Sequence, residues 1–265
     1  MQYTSLVSHV AIGRFSRSLI ALAFLLGSGA LAQDQHVNSS ALPSGEEIAS
    51  KTEAQNLKRA ADLKAYTSER SYDLDYHGFP SDKHANMTVD IHLVAPHTKD
   101  LVIVSESGSG TLRSHVLQKL VASEREASEK ENQGDTALSR ANYEFKVVGE
   151  EEKDGRRCYV VDVKPKKKNK FLYVGRVWID STEYAVVHIS AQPAKNPSFW
   201  ITRVQIEHQY GKFGEFWLPI RNTSVSSTRF GGRATLTIDY GQYSVEGRTA
   251  RPQIAKSEPP QNPEP

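Results

Sequence analysis

The chain has 265 residues, with 33 basic and 31 acidic side chains, a formal charge of +2 and 38% hydrophobic residues. Near-balanced charge removes the long-range attraction on which nonspecific nucleic-acid binding depends. A single cysteine, Cys158, excludes an internal disulfide, so a hydrophobic core alone must hold the fold.

Residues 1–32 read as a cleaved secretory signal. Arg14 and Arg17 precede the apolar run Leu19–Leu26, and Ala30-Leu31-Ala32 supplies the small-x-small cleavage pattern, so the mature chain is expected to begin near Gln33. The run falls well short of the roughly 20 residues a spanning helix needs. No Cys stands at the cleavage point to carry a lipid, which argues against a lipoprotein. Cleavage takes the 33 basic residues to 31, equal to the 31 acidic ones. Residues 33–44 are polar and without period and are expected to be flexible; the tail 249–265, rich in Pro, is expected to be disordered.

Between them a single domain is expected over 45–248. Ser44 and Glu47 have capping-box spacing and open a Gly/Pro-free stretch, which predicts a helix over 45–66 with a thin apolar face. Met87, Val89, Ile91 and Leu93 then alternate with Thr88, Asp90 and His92, the period of a strand with one buried face. Leu101–Val104 and Tyr72–Phe79 are expected beside it. A second helix is predicted over 111–131, with Leu112, Val116, Leu117, Leu120 and Val121 on one face and a solvated charged end from Glu124 onward. After Asn142, runs near 143–149, 156–164, 170–180, 184–190, 199–210, 215–226 and 233–244 are separated by short turns that favour antiparallel neighbours. The fold class is therefore α+β: a large, strongly curved antiparallel sheet of about ten strands, an incomplete barrel lidded by two helices. Two helices cannot cover ten strands fully, which leaves concave apolar surface.

Few motifs carry chemistry. His77, His84, His92 and His97 stand at spacings that match no structural zinc pattern, so no metal or other cofactor is expected. The glycines of Ser105–Gly110 lack either phosphate-loop spacing, and no Gly-x-Ser-x-Gly elbow occurs. Asp90, Asp162 and Asp180 are not paired by spacing, so no catalytic group is assigned. His188 and His208, in strands, read as hydrogen-bonded sheet residues, and Cys158 as a packing residue. Lys164, Lys166, Lys167, Lys168 and Lys170 form a basic hairpin tip, solvated or in contact with anionic lipid. Phe199-Trp200 and Phe216-Trp217 are neighbours on strands, so one of each pair faces away from the main core.

Phe171-Leu-Tyr-Val-Gly-Arg-Val-Trp-Ile-Asp180 with Glu183–Ile189 resembles a hairpin of the LolA-like outer-membrane lipoprotein-sorting proteins. So do Lys195–Trp200, Tyr210–Pro219 and Gly232–Tyr240, and the resemblance covers roughly 71–246. It implies a bacterial periplasmic protein whose incomplete barrel holds acyl chains in its concave face beneath helices, as in the lipoprotein carrier and the sensor RseB. The expected function is non-enzymatic binding or carriage of a lipid, an acylated lipoprotein or a similar amphiphile, with Met87, Ile91, Trp178, Trp200 and Trp217 as candidate cavity residues. The expected partners are those acyl chains and an envelope membrane protein that loads or receives them, with no nucleic acid, and the chain is expected to be a monomer. The alternative is an RseB-like structural or regulatory protein that docks another protein on the sheet.

Overall fold

The computed structural model describes residues 42–250, apart from 96, 97, 129–133, 135, 170, 196–198, 200, 230, 246 and 247. The expected signal segment 1–32, residues 33–41 and the tail from 251 lie outside the described residues, as do His97, Lys170 and Trp200.

Helix α1 (Gly45–Asp62) starts where the capping residues place it. The Glu47 amide donates to Ser44 Oγ at 3.1 Å, while the Glu47 carboxylate takes Lys51 at 2.7 Å instead of closing the box. The helix ends at Asp62, four residues before the expected 66, because the chain turns extended at Leu63. Strand β1 (Ala65–His77) then pairs along its length with two neighbours, and those ladders outweigh the thin apolar face that would have continued the helix.

Strands β2 (Lys83–Val94) and β3 (Thr98–Gly108) complete a first meander. A helical segment follows, in which α2 (Gly110–Leu112) and α3 (Gln118–Ser128) are joined by a π-helical turn over Arg113–Leu117. The second meander comprises β4 (Tyr143–Lys153), β5 (Arg156–Pro165), β6 (Tyr173–Asp180), β7 (Val186–Pro193), β8 (Ile201–Phe213), β9 (Phe216–Thr228) and β10 (Arg233–Val245), with the short β11 (Arg248–Ala250) beside β10.

All ladders are antiparallel, in the order β3-β2-β1-β10-β9-β8-β7-β6-β5-β4. The sheet is open, since β3 and β4 are its two edges. The helical segment leaves from the β3 edge, and the chain re-enters the sheet at the β4 edge. Register irregularities in the β1–β10, β2–β3, β4–β5, β6–β7 and β8–β9 ladders bend the strands, as a sheet this wide requires. The result is the expected α+β half-barrel.

Alternation identifies the covered face. In β1, Ser68, Arg70, Tyr72 and Leu74 are buried, whereas Glu69, Ser71 and Asp73 are exposed. Across the ladder, Ala85, Met87, Val89 and Ile91 follow suit. Two apolar clusters result. One gathers β1, β2, β3 and β10 under Val116, Leu117, Leu120 and Val121. The other gathers Val161, Val163, Val177, Ile179 and Ile189 under Ile48 of α1. Gly45 lets α1 meet β4, because a Cβ there would fall 2.1 Å from Phe145 O.

Candidate binding face

The middle of the covered face lies between the two helix-capped clusters. There β8 supplies Ile201, Val204 and Ile206, a small separate apolar cluster, and β9 supplies Asn222, Ser224 and Ser226 opposite them. The face is thus apolar at both ends and mixed at its centre.

A buried polar network sits where β1 and β10 meet α3. Arg70 is 1% exposed and Glu124 is 4% exposed. Arg70 Nη1 donates to both carboxylate oxygens of Glu124 at 2.8 Å, and Lys99 Nζ of β3 donates to Glu124 Oε1 at 2.6 Å. The Arg70 guanidinium also lies over the Tyr240 ring, 4.5 Å from its centre, and Asn222 Nδ2 donates to the Tyr240 hydroxyl at 2.7 Å. Burial works to raise the Glu124 carboxyl, but the attraction of Arg70 and Lys99 outweighs it and holds the group at about 2. Burial, with the like charge of Arg70, brings Lys99 down to about 8 against the pull of Glu124. Two cations share one anion here. Among the described residues, Arg70 Nε and Nη2, Tyr72 Oη and Asn222 Oδ1 have no hydrogen-bond partner. The sequence placed Glu124 on a solvated helical end, and that expectation is corrected. Charge alternation along a helix cannot reveal that one carboxylate meets two cations from distant strands.

The candidate cavity residues do not share one surface. Met87 and Ile91 lie on the covered face, fully buried in the cluster beneath the π turn and α3. Trp178 and Trp217 lie on the opposite face with Cys158, Val160 and Val187. Trp178 Nε1 donates to Glu151, its ring meets His188 edge-on and Lys153 lies over it. Trp217 Nε1 donates to Glu183 at 3.0 Å, with Arg156 over its ring. Trp200 lies outside the described residues.

Other candidates take structural places. Burial pushes the Cys158 thiol up to about 12, which keeps it protonated and inert. Asp162 pairs with Arg176 at 2.9 Å; Asp180 pairs with Arg156 at 3.0 Å and accepts the Thr182 and Glu183 amides. His188 Nε2 meets Glu207 at 2.8 Å. On the exposed outer face, His84 lies 2.9 Å from Asp75 and 3.8 Å from Asp73, and the three could offer donors to one cation within 4.8 Å of each other. Sequence spacing grouped His84 with other histidines, whereas strand pairing of Asp75 with His84 groups it with aspartates. Lys164, Lys166, Lys167 and Lys168 are exposed at the β5–β6 turn. Lys167, Lys168, Asn169 and Lys195 rim an open depression there of about 340 Å³.

The sequence profile of DUF5686, a family of unknown function, matches residues 136–243. No curated protein matches the chain. Solved structures similar to it include a DUF1329 family protein from Desulfovibrio piger, 14% identical over 76% of this chain and 92% of that one, with a TM-score of 0.40. A putative outer membrane lipoprotein-sorting protein domain from Vibrio parahaemolyticus is 13% identical over 81% of this chain and 94% of that one, with a TM-score of 0.38. A LolA superfamily protein from Nitrosomonas europaea is 10% identical over 82% of this chain and 99% of that one, with a TM-score of 0.32. Among the described residues, no helix is long and apolar enough to cross a membrane.

Proposed function

We propose that this protein is exported to the periplasm and there binds a lipid, an acylated protein or a similar amphiphile in the covered face of its half-barrel, without catalysing a reaction. The observation that carries this reading is the covered face itself, which is apolar at both ends, with helices capping those ends while β8 and β9 run between them. Such a face can take an acyl chain if α3 lifts, with a gain of about 0.8 kcal/mol per buried methylene. Met87 and Ile91 are the residues of the candidate set that would line the chain. Trp178 and Trp217 would instead support the sheet from outside.

The test is native mass spectrometry of the exported protein purified without detergent, followed by organic extraction. A stoichiometric adduct removed by extraction supports carriage and identifies the cargo. A clean mass, with no uptake of added fatty acid, moves the reading to protein docking.

That second reading has an observation of its own. Among the described residues, β3 and β4 each have a strand on one side only, and Val102 and Val104 on β3 and Val148 on β4 expose apolar side chains. An extended segment of a partner could add to either edge.

A further inference from the structure

Strand pairing sorts the turns of this sheet into two ends. His77 pairs with Arg233, Arg233 with Ser227, and Thr228 with Ile201, so the β1–β2, β9–β10 and β7–β8 turns lie side by side. Pro193 pairs with Tyr173 and Pro165 with Tyr143, which adds the β5–β6 turn to the same end. The chemistry of the two ends differs sharply. The described residues of segments 78–83, 164–169, 194–203 and 229–233, at this end, include nine Lys or Arg and one acidic residue, Asp82. At the other end, segments 150–157, 180–184 and 212–215 contain seven acidic and four basic residues. A chain of nearly balanced charge is thus strongly polarised along its strands.

The basic end also presents aromatic rings to solvent. Phe79 is 79% exposed and Phe199 is 67% exposed, the two highest values among large hydrophobic side chains of the described residues. Both tips are tied down. The Tyr76 hydroxyl donates to Phe79 O at 2.9 Å, and Asp82 accepts the Gly78 amide at 3.0 Å. Arg229 donates from Nε to Phe199 O at 2.6 Å and lays its guanidinium over the Phe199 ring at 4.1 Å, which links two neighbouring turns. Exposed rings on fixed backbone cost solubility and contribute nothing to the core. Rings among cations are the arrangement that a headgroup layer accommodates, with the aromatic groups at the acyl boundary and the cations on anionic lipid.

We infer that this end of the half-barrel docks on an anionic membrane surface, with Phe79 and Phe199 entering the headgroup region and the Lys164–Lys168 turn contacting acidic lipid. The polarity of the sheet then sets the orientation, because the acidic end must point away. This docking stands whether or not the covered face holds an amphiphile.

The experiment is co-sedimentation of the full exported chain with vesicles of phosphatidylcholine alone, and of phosphatidylcholine with about one-third phosphatidylglycerol. Wild-type protein is compared with Lys166→Glu/Lys167→Glu/Lys168→Glu, with Phe79→Ser and with Lys58→Glu on the exposed side of α1, each checked for an unchanged melting temperature. The expected result is binding to the phosphatidylglycerol vesicles only, lost at high salt. It should weaken at least about tenfold in the triple-lysine variant and severalfold in Phe79→Ser, with Lys58→Glu near wild type. Equal binding to both vesicle types, no binding to either, or binding that the variants do not change would overturn the inference.

Discussion

Arg70 on β1 and Glu124 on α3 are joined by hydrogen bonds of 2.8 Å to both carboxylate oxygens, with neither side chain more than 5% exposed. This pair and Lys99 fasten the helix to the sheet across 54 positions of sequence. Removing one partner of a buried pair leaves a desolvated charge, a larger loss than the pair itself contributes. Glu124→Ala should therefore destabilise the fold by about 3–5 kcal/mol, read from urea denaturation. The triple variant Arg70→Met/Lys99→Met/Glu124→Leu, which leaves no member of the network unpaired, should recover most of that loss. Equal destabilisation in single and triple variants would mean that packing, not charge, holds α3.

The same carboxylate predicts an acid-sensitive step. Glu124 has an ordinary value of 4.5 and is held at about 2 in the folded protein. A depressed folded value stabilises above the unfolded value, and that stability is lost as pH falls from about 4.5 toward 2. The loss is on the order of 3 kcal/mol, with Arg70, Lys99, Tyr66, Tyr72 and Tyr240 as the ionisable groups around it. Glu124→Gln should flatten stability against pH in that window relative to wild type. A variant whose acid slope equals that of wild type would remove Glu124 as the source.

Gly175 marks a place where the sheet cannot accept a side chain. A Cβ there would fall 2.3 Å from Ser190 O and 2.5 Å from Ala191 Cα. Since β6 is held between β5 and β7, neither strand can withdraw without breaking a ladder. Gly175→Ala should cost about 1–3 kcal/mol by calorimetry, in contrast with Gly149→Ala, whose Cβ would meet nothing within 4 Å.

The tryptophans of the outer face should separate stability from binding. Trp217→Phe removes the hydrogen bond to Glu183 and should lower stability by about 1 kcal/mol. Fatty-acid uptake, measured with a fluorescent probe, should be unchanged. Loss of uptake in a folded Trp217→Phe protein would place the ligand on the outer face.

Much of the sheet could be read from sequence because the burial period is local. Met87, Val89 and Ile91 alternate and are buried, and the short turns after Asn142 join neighbouring strands. Four features were not legible. Residues 65–70 carry a composition that a helix also accepts, and only pairing with β2 and with β10 makes them a strand. Alternation puts Trp178 and Val177 on opposite faces, but the face that is covered depends on the side on which the helices pack. Glu124 looked like one charge in a solvated run, because its partners lie on β1 and β3. The basic hairpin was visible as five lysines, whereas its company with Phe79, Phe199 and Arg229 follows only from strand order.

The most direct measurement is photo-crosslinking of the purified protein with a diazirine-bearing fatty acid, with adducts mapped by peptide mass spectrometry. An amphiphile held in the covered face predicts adducts on peptides containing Met87, Ile91, Val121 or Ile206, competed by unlabelled fatty acid. Adducts confined to the outer face around Trp178 and Trp217, or no competable adduct, would contradict it.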